Sequence, residues 1–185
     1  GNVKSGELID FSKKIFSILQ PYSYSYGKKD LSQVAVEKII LANKTISIAE
    51  SCTGGYLSKI ITDIPGSSKV LIGSVVAYSD YSKIKFLGIK SNFIKKHGAV
   101  SMEVAKKMAI QIMKINQSDL SVAITGISGP GGGSLDKPVG LVYIACKFHS
   151  NLVAKEYVLK FDRLINRKIT IFLALNMIRL MLDEN

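Results

Sequence analysis

The chain predicts a layered α/β fold with a mixed, partly parallel sheet. Three observations carry that reading. From about residue 30 onward, short apolar runs of strand type alternate with stretches of helical periodicity, as expected of parallel strands joined by crossover helices. Near the end, two strand-type runs are separated only by His149-Ser150-Asn151, which reads as an antiparallel hairpin. Glycine-rich turns follow two of the earlier strands, where helices of such folds begin.

Taken in order, residues 7–19 carry Leu8, Phe11, Ile15, Ile18 and Leu19 at helical spacing, and Pro21 with a Tyr-Ser-Tyr-Ser-Tyr-Gly stretch ends the pattern. Residues 1–28 therefore read as a helical appendage and linker, with the first few set aside as a processed end, and 29–185 as the functional domain. A helix over 31–41, a strand over 45–49, a helix over 56–62 and a strand over 70–78 come next. Short helical turns over 83–87 and 92–96 follow, the second ended by His97-Gly98. Ser101 is the cap of an amphipathic helix marked by Val104, Met108, Ile112 and Ile115. A strand over 120–125 leads into a glycine-rich loop, then come strands over 139–148 and 152–160 and a final helix over 163–182.

With 185 residues, 47% apolar and 21% charged, the chain is long enough to bury one core. Cys52 and Cys146 make no disulfide framework, so a reducing, cytoplasmic setting is expected. No signal peptide is evident. The most apolar stretch, 169–182, is interrupted by Asn176 and Arg179 and is too short to span a bilayer. The net charge of +11 raises nucleic-acid binding, but the lysines are scattered over many elements without interleaved aromatics, which favours a solvated basic surface. Arg163 and Arg167 lie four apart, so one helix face can offer both to a single anion, or both can serve solubility.

Chemistry concentrates at Glu50-Ser51-Cys52-Thr53-Gly54-Gly55, where a strand-type run gives way to a helix. A side chain leaving a buried strand is held rigidly, and the glycines let backbone approach a ligand. Ser51 is the favoured nucleophile and needs a base. His97 and His149 both sit at turns, which argues against a Ser-His-Asp arrangement. Tyr78-Ser79-Asp80-Tyr81-Ser82-Lys83 follows the next strand, so parallel pairing brings Tyr78 beside Ser51, with Lys83 in reach. A lysine desolvated there loses basicity and serves as general base. Cys52 is a rival nucleophile, better read as core. Glu50 can orient the lysine, bond a substrate amide or sit in a salt bridge. Thr53 and Gly54 offer hydroxyl and N–H groups to an oxyanion or a phosphate. The second glycine-rich loop, Thr125-Gly126-Ile127-Ser128-Gly129-Pro130-Gly131-Gly132-Gly133-Ser134, lacks the Gly-Lys-Ser/Thr ending of a P-loop but can cradle a sugar phosphate, with Thr125 and Ser128 adding hydroxyls. No carboxylate, His or Cys spacing suggests a metal, and none is expected.

Five motifs in order, Ala49-Glu50-Ser51-Cys52-Thr53-Gly54-Gly55, Thr62-Asp63-Ile64-Pro65-Gly66-Ser67-Ser68, Val76-Ala77-Tyr78-Ser79, His97-Gly98-Ala99-Val100-Ser101 and Thr125 to Gly133, resemble the CinA C-terminal domain family. The resemblance covers about 30–185. It implies the three-layer α/β/α fold of that family and nicotinamide-nucleotide amidase activity: hydrolysis of the carboxamide of nicotinamide mononucleotide to nicotinate mononucleotide and ammonia. It also implies no cofactor, no metal, a pyridine mononucleotide as partner, a homo-oligomer, and no membrane. Carried over by motif, Ser51 is the nucleophile, Lys83 the base and Tyr78 a proton relay or positioning group. Substrate contacts fall to Glu50, Thr53, Gly54, Gly55, Thr125, Gly126, Ser128, Gly129, Arg163 and Arg167. Two departures stand out: Phe161 replaces the glycine of a Gly-Asp-Arg motif, and Asp80-Tyr81-Ser82-Lys83 stands where Asn-Glu-Ala-Lys is common. Residues 15–28 resemble the connector to an upstream domain in two-domain members. The rival expectation is a non-catalytic nucleotide-binding partner in competence or DNA-damage responses, with nucleic-acid binding ranked last.

Overall fold

The computed structural model describes residues 5–19, 22–25 and 27–183. Pro21 and Tyr26, part of the expected break after the first helix, lie outside them. Helix α1 (Ser5–Ile18) leaves Leu8, Phe11 and Ile18 exposed. The elements that follow are α2 (Leu31–Leu41), β1 (Ile46–Glu50), α3 (Tyr56–Thr62), a 3₁₀ turn (Ser67–Lys69) and β2 (Leu71–Val76). Then come α4 (Asp80–Leu87), α5 (Ser91–His97), α6 (Met102–Asn116), β3 (Leu120–Gly126), β4 (Leu141–Phe148), β5 (Asn151–Val158) and α7 (Arg163–Asp183).

The strands form one sheet in the order β2-β1-β3-β4-β5. β1 pairs parallel with both β2 and β3, while β3–β4 and β4–β5 are antiparallel. The mixed sheet is the one the alternation predicts, and the two helical layers around it are those the family resemblance implies. Its two faces are built from different side chains. Ile46 and Ile48 of β1, Leu120, Val122 and Ile124 of β3, and Val142, Ile144 and Cys146 of β4 pack under α2, α3 and α7. Ala49, Ala123 and Ala145 take the opposite face, against Val104, Met108 and Ile112 of α6. Small residues there let α6 ride close to the sheet: Ser121 Oγ donates to Ala109 O at 2.8 Å, and Asn116 Nδ2 to Ser47 Oγ at 3.1 Å. A Cβ on Gly73 would stand 2.9 Å from that same Asn116 amide.

Side-chain caps set the helix starts. Asp30, Ser79 and Ser101 accept the N–H of Gln33, Ser82 and Val104, at α2, α4 and α6. Among the strand limits that differ from the sequence expectation, two have a clear local reason. β2 stops at Val76 because, after Ala77 N donates to Glu50 O, the carbonyls of Ala77 and Tyr78 turn away to Lys83. β4 starts at Leu141 because Gly140, at φ +88°, breaks the extended backbone. The parallel strands β1, β2 and β3 thus end side by side, and their C-terminal loops share one edge of the sheet.

Candidate active site

Ser51 follows the last residue of β1, and its N–H still donates to Ile124 O of β3 at 2.9 Å. That tie fixes the backbone of the nucleophile to the central strand. The chain then turns sharply: Gly54 N donates to Ser51 O at 3.0 Å, with Gly54 and Gly55 at φ +61° and +89°. Both conformations favour glycine.

Lys83 sits one turn into α4, beyond the Ser79 cap, and is 1% exposed. Its Nζ lies 3.1 Å from Ser51 Oγ and donates to Ala77 O at 3.0 Å and Tyr78 O at 3.2 Å. A neutral amine has two N–H donors and one lone pair. Two backbone carbonyls absorb the donors, so the lone pair is left for the Ser51 hydroxyl. Among the described residues no carboxylate forms an ion pair with Lys83. Burial holds its pKa below the ordinary 10.5, with Asp80 and Cys52 opposing more weakly.

Around this pair lies a cleft of about 260 Å³, lined on one side by Ser51, Tyr78 and Lys83 and on the other by Thr125 to Gly129 and Arg163. Gly126 is required by packing, since a Cβ there would meet Val142 Cγ2 at 2.4 Å. Ser128 Oγ reaches Cys52 O at 3.5 Å across the cleft. Arg163, the first residue of α7, donates to Gly129 O at 2.8 Å and to the Tyr78 hydroxyl at 3.3 Å. It thereby bridges the two walls.

Several expected roles change with the geometry. Glu50 neither orients Lys83 nor enters a salt bridge: its buried carboxylate accepts Leu57 N at 3.1 Å, Ser58 N at 2.9 Å and Ser58 Oγ at 2.6 Å, pinning the start of α3. The N–H groups at that helix entry are thereby committed, and Gly54 N is committed to its turn. Thr53, Gly54 and Gly55 do not line the cleft. Arg167 does not line the cleft with Arg163; it donates to Thr53 O at 2.6 Å and lines a separate hollow with Tyr56. Thr53 Oγ1 and Arg167 Nε are buried without a hydrogen-bond partner. Thr125 lines the cleft, but its hydroxyl is used on Ala99 O at 2.8 Å. The Tyr78 hydroxyl faces Arg163; only its carbonyl touches Ser51, at 3.4 Å, and Lys83. Cys52 is buried and its thiol is pushed up to about 11 by desolvation, which suits core packing. Neither histidine lines the cleft.

Sequence reasoning missed two supports. Asn166 is 2% exposed and ties the start of α7 to the glycine-rich loop and to the segment before the helix: Nδ2 donates to Ser128 O at 3.2 Å and Phe161 O at 2.8 Å, and Oδ1 accepts Phe161 N at 3.2 Å. An amide side chain near the start of the last helix is the signal that could have found it. Lys137 donates to Val100 O at 2.8 Å and so holds a segment of the cleft wall.

Among the described residues no group of His, Cys, Asp or Glu could hold a metal, and no helix is long and apolar enough to cross a membrane.

Residues 28–182 match the CinA C-terminal domain. A CinA-like protein of Fervidobacterium nodosum is 45% identical over 156 residues, covering 84% of this chain and 38% of the relative. One from Amoebophilus asiaticus is 36% identical over 166 residues, covering 90% and 40%. The chain thus spans about two fifths of the length of these curated relatives. Among solved structures, the competence/damage inducible protein CihA of Agrobacterium tumefaciens superposes with a TM-score of 0.78 at 34% identity, covering 86% of this chain and 99% of that one. The ordered motifs, the sheet order and these matches together make the chain a member of the CinA C-terminal domain family.

Proposed function

We propose that the protein is a nicotinamide-nucleotide amidase working through a Ser51–Lys83 pair. The observation that carries this reading is the 3.1 Å contact of Ser51 Oγ with a buried lysine whose other contacts are two backbone carbonyls. Neutral Lys83 takes the Ser51 proton as Oγ attacks the carboxamide carbon. The resulting oxyanion is held by the Cys52 N–H and by backbone of the second loop, since the α3-entry donors are engaged elsewhere. Protonated Lys83 then gives its proton to the leaving nitrogen, ammonia departs, and an ester to Ser51 remains. Water, activated by Lys83, hydrolyses the ester to the carboxylate and restores Ser51.

The cleft of about 260 Å³ suits the pyridine ring and part of the ribose. Beyond Arg163 it continues into a depression of about 530 Å³, lined by Pro130, Phe161 and Leu164 as well as Gly129. The phosphate sits at that junction, on Arg163 and the glycine-rich backbone. Phe161, where relatives of the motif carry glycine, forms a wall of this outer depression rather than of the Ser51 cleft. From the family resemblance we also propose a cytoplasmic setting and a homo-oligomer, the latter checked by light scattering of the purified chain.

The test is incubation with nicotinamide mononucleotide, with ammonia measured and the intact protein weighed by mass spectrometry. Turnover with a transient nicotinate-nucleotide ester on Ser51, and neither in Ser51→Ala, supports the proposal. Nucleotide binding without ammonia release would reduce the protein to a binding module, and turnover by Ser51→Ala would remove Ser51 from its role.

A further inference from the structure

A second hollow, of about 540 Å³, lies where α4, α5 and α6 meet. The short segment 97–100 separates it from the Ser51 cleft: His97 lines the hollow, while Ala99 and Val100 line the cleft. Three ammonium groups surround it, Lys90 at the start of α5, Lys96 in its last turn and Lys107 on α6. No carboxylate lines it, and among the described residues none of the three lysines enters an ion pair. Like charges gathered without a counter-charge repel one another, and an anion relieves that repulsion.

One wall is aromatic. The rings of Phe93 and His97 lie 4.5 Å apart, tilted at 42° to each other, and each offers ring surface beside the cations. Gln111 adds a directional group: its Nε2 is anchored to Leu87 O at 2.9 Å, which leaves the amide oxygen as acceptor for a ligand N–H. Cations for phosphate, a ring face for a planar base and an amide for its edge are the parts of a nucleotide site. The volume is that of a small-molecule pocket, whereas non-specific single-strand binders present a groove that tracks several nucleotides.

We infer that this hollow binds a nucleoside phosphate at a site separate from the Ser51 cleft. The test is a fluorescence titration of the whole chain with the mant derivative of ADP at low salt, with unlabelled ADP as competitor. Saturable binding that ADP displaces is expected, weakened at least tenfold in the double variant Lys96→Glu/Lys107→Glu and severalfold in Phe93→Ala, but unchanged in Arg163→Ala. Both lysines are solvent-accessible, so the double variant is expected to melt like the parent. The inference is overturned by absence of saturable binding up to about 1 mM, by loss in Arg163→Ala with retention in the double variant, or by a single-stranded oligonucleotide competing far below the ADP concentration required.

Discussion

Two buried charged side chains flank the Ser51 turn, and they are treated in opposite ways. On the α3 side, Glu50 is given three donors, two backbone N–H groups and the Ser58 hydroxyl, at 2.6 to 3.1 Å. On the α4 side, Lys83 is given two carbonyls, one hydroxyl and no carboxylate. Both are about 0–1% exposed. Among the described residues neither has an ion-pair partner, so the difference lies in what each touches. The donors on Glu50 belong to the start of α3, whereas Lys83, its proton affinity lowered by burial, faces the Ser51 hydroxyl. The first region builds the turn and the second is fitted for proton transfer.

The largest effect that can break this contrast comes from Lys83→Met. Removing the base is expected to lower turnover by about 10² to 10⁴-fold, read as ammonia release from nicotinamide mononucleotide. The same variant is expected to change the melting temperature little, because relief of a desolvated amine offsets the donors lost by Ala77 O and Tyr78 O. A near-normal rate, or a clear loss of stability, would show that Lys83 is an anchor like Glu50.

Glu50→Ala should show the reverse signature. Three donors lose their acceptor in a buried place, an effect of about 3 kcal/mol on folding, measured by denaturant titration. Glu50→Gln keeps one acceptor oxygen and should lose less. If Glu50→Ala left stability intact while removing turnover, Glu50 would belong to the chemistry after all.

How far the sequence foretold this contrast depends on the residue. The parallel pairing of the strands before Ser51 and Tyr78 was readable from the alternation of elements, and it brings Lys83 to Ser51. The fate of Glu50 was also within reach. Period-2 alternation along β1 puts it on the face of Ile46 and Ile48, under α3, and away from the Ala49 face where α4 and α6 lie. Reading Glu50 as a loop residue hid that. The place of Tyr78 beside Ser51 was legible too, but its contribution to Lys83 was not, because that is a carbonyl oxygen, which every residue type carries. The divergence of Arg163 and Arg167 was hidden for the same reason: each is claimed by a loop carbonyl, Gly129 O or Thr53 O, and no side-chain pattern encodes such acceptors. The end of β2 was misjudged because the carbonyls past Val76 serve a side chain instead of a ladder.

Arg163 extends the comparison outward, since it holds the cleft by polar contacts that a phosphate can replace. Arg163→Ala is expected to raise KM by about tenfold or more with a smaller change in kcat, as for loss of a charge-assisted contact made equally in ground and transition states. Arg167→Ala, whose side chain holds Thr53 O, should instead reduce stability with KM little changed. A matching KM rise in both variants would mean that the two arginines share one anion.

The subtlest distinction is the pH response, whose sign follows from the direction of the Lys83 shift. Burial lowers the pKa in the folded protein below the ordinary 10.5 of the unfolded chain. Only the neutral amine accepts the Ser51 proton, so kcat/KM should rise about tenfold per pH unit below the lowered pKa and level off above it. The unfolded chain holds this proton more tightly than the folded one, so the desolvation penalty is fully present below the lowered pKa. It is relieved as pH climbs from there towards 10.5, and stability should rise through that window. Lys83→Met should flatten both trends together, in rate and in melting temperature, because one amine causes both. A pH–rate profile that survived in that variant would assign the proton transfer to another group and leave Lys83 with no catalytic part.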